Sequence, residues 1–231
     1  MKALCILKLI KKNISASYQK TLVAAIQFLY NEMYRKNYQL KYLYPGRREH
    51  RLPVVLSKEE VQKIIQSCNN VKHKAIMATI YSAGLRLSEC LNPTIKDIDS
   101  QRMLIKISQS KGNKDRYVSI SKNLLQLLRE YWKTYRTKHY LFEGQKGGTY
   151  SSRSVQNIFK DALKKAGVQK DATVHSLRHS YATHLLKSGT DIRIIQVLLG
   201  HNHIKTTQIY TQVSKSAVEK LHNPLDDLPI C

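Results

Sequence analysis

The sequence predicts a mainly α protein with one small antiparallel β-sheet. Three observations lead there. Apolar residues recur with a period near 3.6 through much of the chain. Two short β-prone runs, Met103 to Ile107 and Arg116 to Ile120, flank a polar turn. Strands and helices do not alternate as they do in a doubly wound nucleotide-binding sheet, and no glycine-rich phosphate loop of the ATPase type is present.

The elements follow in order. From Tyr18, the apolar positions Leu22, Ala25, Ile26, Leu29 and Met33 share one helical face. Periodicity fades from Tyr34 to Arg51, where Arg35, Lys36, Lys41, Arg47, Arg48 and Arg51 gather around Pro45-Gly46. This stretch reads as an exposed basic linker that tracks phosphates. Ser57-Lys58-Glu59-Glu60 is a capping box that opens a helix to about Ser67. A helix over Val71 to Ala83 stops at Gly84, and a short one over Ser88 to Leu91 precedes Pro93. The β-hairpin turns at Lys111-Gly112-Asn113-Lys114-Asp115, and Tyr140-Leu141-Phe142 is expected to add a third strand. Further helices cover Leu124 to Tyr135, Ser152 to Ala166, Ser176 to Lys187, Asp191 to Leu199 and Lys205 to Thr211. Gly167, Gly189 and Gly200 follow three of them, where a C-cap needs glycine. A last short helix is expected over Lys215 to Leu221. The expected organisation is an N-terminal segment with linker over 1–51 and one larger domain over 52–231.

Charge points to the partner. The 231 residues carry 39 Lys+Arg against 16 Asp+Glu, a formal charge of +23. Such an excess predicts a polyanion, with nucleic acid ahead of an anionic membrane surface. No apolar run approaches the roughly 20 residues that span a bilayer, and Met1 to Lys12 lacks the core and cleavage site of a signal peptide. Cys5, Cys68, Cys90 and Cys231 are scattered without zinc spacing, as free thiols of a cytoplasmic protein are.

The chemistry-bearing residues are Arg86, Lys111, His175, Arg178, His201 and Tyr210. Attack on a phosphodiester drives charge onto its non-bridging oxygens. A metal nuclease neutralises that charge with an ion held by carboxylates, and no clustered acidic pattern here suggests one. Two guanidiniums offer another solution, a planar donor fork that stays charged. His175 and Arg178, three apart, share a helix face. His201 follows a helix-ending glycine that lets its ring turn inward. Lys111 on the hairpin turn has the reach to protonate a leaving oxygen, and Tyr210 is the candidate nucleophile. Glu89 is assigned to orienting a catalytic cation. Arg47, Arg48, Arg51 and Lys114 are assigned to DNA binding. His179 is read as structural support for its neighbours, and His184 and His203 as surface or structural. No cofactor is expected.

Four segments carry a family resemblance: Tyr81 to Glu89, the Lys111 to Arg116 hairpin, Thr173 to Leu185, and Leu198 to His201 with Thr206 to Thr211. In order and spacing they resemble the tyrosine recombinases of the phage integrase family, in particular the Xer-like site-specific recombinases. The resemblance implies a helical catalytic domain that cuts one DNA strand, without metal or ATP. Tyr210 would form a 3′-phosphotyrosyl bond and release a 5′-hydroxyl. Arg86 and Arg178 would bind the scissile phosphate, Lys111 would act as general acid, His175 would aid proton transfer, and His201 would hydrogen-bond the phosphate. It further implies double-stranded DNA as partner and a homotetramer on two DNA sites, with exchange of C-terminal segments around Ser214 to Leu228. The family also has a full helical core-binding domain before the catalytic part. Here the Ser15 to Lys36 helix resembles the last helix of that domain, so a truncated DNA-binding remnant, or a modulator of a full-length recombinase, is the alternative reading. A type IB topoisomerase is the third.

Overall fold

The computed structural model describes residues 14–35, 39–45, 52–110, 114–145 and 147–213. The chain divides into two units, Met1–Arg51 and Leu52–Cys231. In the first, helix α1 (Ala16–Tyr34) begins where the Ser15 side chain accepts from the Tyr18 N–H, satisfying one of the donors a helix start leaves free. Val23 is buried, while Phe28, Met33 and Tyr34 are exposed. Within the stretch read as an exposed linker, a 3-10 turn spans Lys41–Leu43 and Leu40 is buried. Gln19 ties this turn back to α1 by donating to the Leu43 carbonyl at 3.0 Å. Arg47, Arg48 and Arg51 lie outside the described residues.

The second unit starts with α2 (Lys58–Gln66). Its capping box is reciprocal: Glu60 N–H donates to Ser57 Oγ, and Ser57 N–H to Glu60 Oε2 at 2.7 Å. Helix α3 (Val71–Ala83) follows, ended by Gly84 in the left-handed region at φ 59°. Ala75, Ile76, Met77, Thr79, Ile80 and Ala83 are all buried, so this helix is covered on several sides rather than along one stripe. Helix α4 (Leu87–Leu91) comes next.

The sheet has order β1-β2-β3, all antiparallel, with β1 at Ile98–Asp99, β2 at Leu104–Ser110 and β3 at Lys114–Ser119. The third strand is therefore Ile98–Asp99, not the expected Tyr140-Leu141-Phe142. Tyr140 makes only an isolated bridge with Thr94. The reason is local: one carboxylate oxygen of Glu143 accepts from the N–H groups of Lys138, His139 and Tyr140, closing the chain into a turn. Leu141 and Phe142 are both buried, whereas a strand with one covered face alternates.

Helices α5 (Lys122–Tyr135), α6 (Ser152–Lys165), α7 (Val174–Lys187), α8 (Ile192–Leu199) and α9 (Lys205–Val213) complete the unit. The helix expected over 215–221 lies outside the described residues. The main core joins Ile64, Ile76, Met77, Ile105, Val118, Tyr131, Phe142, Phe159 and Leu177. A smaller cluster, Ala182, Ile195, Leu199 and Tyr210, packs α7, α8 and α9 together. Each large apolar side chain in these clusters contributes about 1.5–3 kcal/mol by leaving water. Among the described residues, no helix is long and apolar enough to cross a membrane.

Candidate active site

Gly84 turns the chain after α3, so that Arg86 stands just before α4 and Glu89 in its first turn. The Glu89 carboxylate accepts from the Arg86 backbone N–H at 2.9 Å and from Arg86 Nη1. Arg116 on β3 adds a bidentate pair, Nη1 to Oε1 at 3.1 Å and Nη2 to Oε2 at 2.8 Å. Arg178 on α7 makes a longer contact, Nη1 to Oε2 at 3.4 Å. One carboxylate thus ties three guanidiniums from α4's start, the sheet and α7. Burial alone would raise the Glu89 pKa. The hydrogen bonds from Arg116 and Arg86 and the Arg116 charge outweigh it and hold the carboxyl at about 2.

Arg178 is 1% exposed, the largest fully buried side chain among the described residues. Such a charge needs strong partners. Its Nη1 donates to the Gly84 carbonyl and its Nη2 to the Leu199 carbonyl, both at 2.7 Å. These oxygens sit at the C-terminal ends of α3 and α8, the negative ends of the helix dipoles. Burial, then the neighbouring Arg86, lower the Arg178 pKa to about 10, so it stays charged at neutral pH. Arg86 keeps 27% of its side chain exposed, against 9% for Arg116 and 1% for Arg178.

Gly200, at φ 62°, ends α8 and sends His201 back toward Arg178. A Cβ here would lie 2.9 Å from Arg116 Nη1, so glycine serves both the turn and the close approach. His201 Nε2 is 3.1 Å from Arg178 Nη2, and Nδ1 is 2.9 Å from Thr207 Oγ1. Arginine can only donate, so Nε2 accepts and Nδ1 carries the proton. Burial first, then Arg178, Arg86 and Arg116, depress the His201 pKa to about 4.

His175 stands in the first turn of α7 because the helix begins at Val174, two residues before the expected start, on a Thr173–Ser176 capping box. Its ring is exposed at the mouth of the cluster; partial desolvation and then Arg178 and Arg86 lower its pKa. Tyr210 on α9 is 2% exposed. Its ring stacks on His201, with centroids 6.5 Å apart and planes 13° from parallel, and its Oη lies 3.0 Å from His179 Nδ1. Burial raises the phenol's pKa, while Arg178 and Arg86 work in the opposite direction.

The fold therefore brings Arg86, Glu89, His175, Arg178, His201 and Tyr210 into one cluster. Lys111 lies outside the described residues. The backbone of Lys114 opens β3, and its side chain is outside the description. Two further members join the cluster: Arg116, to which the sequence reading gave no role, and His179, read there as structural support for its neighbours. Arg116 shares the inward face of β3 with Val118 and pairs in register with buried Ile107; period-2 alternation was the available signal. His179 is one helical turn beyond His175, and their rings meet edge to face at 4.5 Å; the i, i+4 spacing was the signal. His184, left as surface or structural, receives or gives a hydrogen bond with Tyr81 Oη at 2.9 Å. Chemically, three guanidiniums against one carboxylate make a seat for an anion beside a buried phenol. Among the described residues, no group of three or more His, Cys, Asp or Glu side chains is placed to hold a metal ion.

Three comparisons bear on what this cluster does. The profile described as the phage integrase family matches residues 54–217. A protein of Sinorhizobium fredii named as an integrase/recombinase is 39% identical over 209 residues, covering 90% of this chain and 68% of that protein. The tyrosine recombinase XerA of Pyrococcus horikoshii is 41% identical over 177 residues, covering 73% of this chain and 61% of that protein. The solved structure of the XerH site-specific recombinase bound to difH substrate, a pre-cleavage complex, superposes with TM-score 0.73 at 26% identity, covering 93% of this chain and 67% of that one.

Proposed function

The chain belongs to the phage integrase family, and from that premise we propose that it is a site-specific recombinase that cuts and rejoins duplex DNA through Tyr210. The observation that carries this reading is the buried Tyr210 phenol, stacked on His201 beside guanidiniums tied by one carboxylate. The scissile phosphate docks against Arg86 and Arg178, whose charge stabilises the crowded phosphorane oxygens. With an anion at that spot, Arg178 Nη2 turns from His201 Nε2 to a phosphate oxygen, and His201, protonated from solvent at the freed Nε2, donates to the phosphate as well. Tyr210 Oη attacks phosphorus and the 5′-oxygen leaves, protonated by Lys111 from the hairpin turn, with His175 assisting at the mouth. The 3′-phosphotyrosyl bond keeps the phosphodiester energy, so a 5′-hydroxyl from a partner duplex can attack it without ATP.

Duplex DNA as partner is supported by the net charge of +23 and by the DNA-bound XerH relative. Arg47, Arg48, Arg51 and Lys114 are proposed as phosphate contacts, which position rather than specify. A homotetramer on two sites, linked by exchange of residues 214–228 and assembled alone or with a full-length recombinase, completes the proposal. Denaturing capture of protein–DNA adducts from genomic DNA, comparing the wild type with Tyr210→Phe, tests it. Adducts on 3′ ends at a discrete sequence, lost in the variant, are expected. DNA binding without any adduct would overturn the reading in favour of a binding module, and relaxed DNA without recombinant product would favour a topoisomerase.

A further inference from the structure

We propose that His179 is the base that takes the phenolic proton of Tyr210 during strand cleavage and returns it during rejoining. The inference rests on the reading of Tyr210 as nucleophile, and deepens it. Geometry comes first for a general base. His179 Nδ1 lies 3.0 Å from Tyr210 Oη, with one group on α7 and the other on α9, two helices joined by a shared apolar cluster. The other histidines are engaged elsewhere. Both nitrogens of His201 are committed, Nε2 to Arg178 and Nδ1 to Thr207. His175 meets the His179 ring. Among the described residues, no other ring nitrogen shares a hydrogen bond with Tyr210 Oη.

The charge state leaves His179 neutral and able to accept the phenol's hydrogen bond. The rings against His179 are His175 on its own helix and Tyr210 on α9, and the charge that acts on it is that of Arg178. Burial first, then His175 and Arg178, hold its pKa at about 4. At neutral pH its Nδ1 lone pair is therefore free to accept the phenol's hydrogen bond. A docked phosphodiester adds a negative charge that counters Arg178 and lifts the basicity of His179 as the proton arrives.

The step balances. The Tyr210 Oη–H bond breaks and its proton passes to Nδ1. The Oη–P bond forms with the phenolate pair, and the P–O5′ bond breaks with its pair leaving on the 5′-oxygen. That oxygen takes a proton from the general acid, assigned above to Lys111. Rejoining runs the same transfers backwards.

The test is single-turnover adduct formation on a nicked duplex carrying the sequence recovered by adduct capture. His179→Asn keeps an acceptor near the Nδ1 position but cannot take up the proton. His179→Gly opens space for added imidazole. Cleavage by His179→Asn is expected to fall roughly 10²–10⁴-fold with DNA binding unchanged, and imidazole is expected to accelerate His179→Gly. Cleavage by His179→Asn within tenfold of wild type, or indifference of a folded, DNA-bound His179→Gly to imidazole, would overturn the assignment and leave His179 a positioning residue. Failure of the wild type itself to form the adduct removes the nucleophile reading and this inference with it, a result distinct from both.

Discussion

Replacing Glu89 by glutamine keeps the shape of the side chain and removes the one negative charge among Arg86, Arg116 and Arg178. The cost follows from the carboxylate's own titration. Its pKa falls from 4.5 to about 2 on folding, and each unit corresponds to 1.36 kcal/mol, so the charged form contributes about 3 kcal/mol to stability at neutral pH. Glu89 is only 7% exposed, so solvent screening removes little of this. A folded pKa below the unfolded one means that the unfolded chain binds the proton more readily. The contribution is therefore complete above pH 4.5 and is lost as pH falls toward 2. Urea unfolding of wild type and Glu89→Gln across this range measures the difference directly. The variant is expected to be about 3 kcal/mol less stable at pH 7, with unchanged urea dependence, and the two proteins should converge in acid. A pH-independent difference, or one below about 1 kcal/mol at pH 7, would refute the claim that one carboxylate holds the guanidinium cluster together.

Two further substitutions test how the site is held. Gly84→Ala puts a side chain at φ 59°, where its Cβ would lie 2.4 Å from the Tyr181 ring. Left-handed strain of about 1–2 kcal/mol adds to displacement of Tyr181, so a loss of at least about 2 kcal/mol in chemical denaturation is expected, and a neutral result would show that the turn relaxes freely. Ser180→Ala removes the hydroxyl that accepts from the buried Leu56 N–H at 2.9 Å. That orphaned donor should cost about 1–3 kcal/mol, and an unchanged midpoint would mean that the N–H finds another partner.

The local elements were legible because their signals are local. The Ser57–Glu60 capping box, the Gly84 and Gly200 stops and the hairpin flanks depend on residues within one turn of each other, and the structure places the corresponding elements within a few residues of their expected ends. The spaced candidates Arg86, Glu89, His175, Arg178, His201 and Tyr210 were likewise legible by residue chemistry and order. Their mutual geometry was not. Glu89 meets Arg116 across 27 residues and Arg178 across 89. Arg178 is anchored on Gly84, 94 residues away, and Tyr210 meets His179 across 31. The third strand moved from Tyr140–Phe142 to Ile98–Asp99 because Glu143 captured the backbone donors before the former. Residue types, caps and period by themselves determined most of the elements and which chemistry-bearing residues the chain carries. Only packing of the helix ends against one another and the sheet decided which charge neutralises which, because burying three guanidiniums is tolerable only where a carboxylate and helix C-terminal carbonyls converge on them.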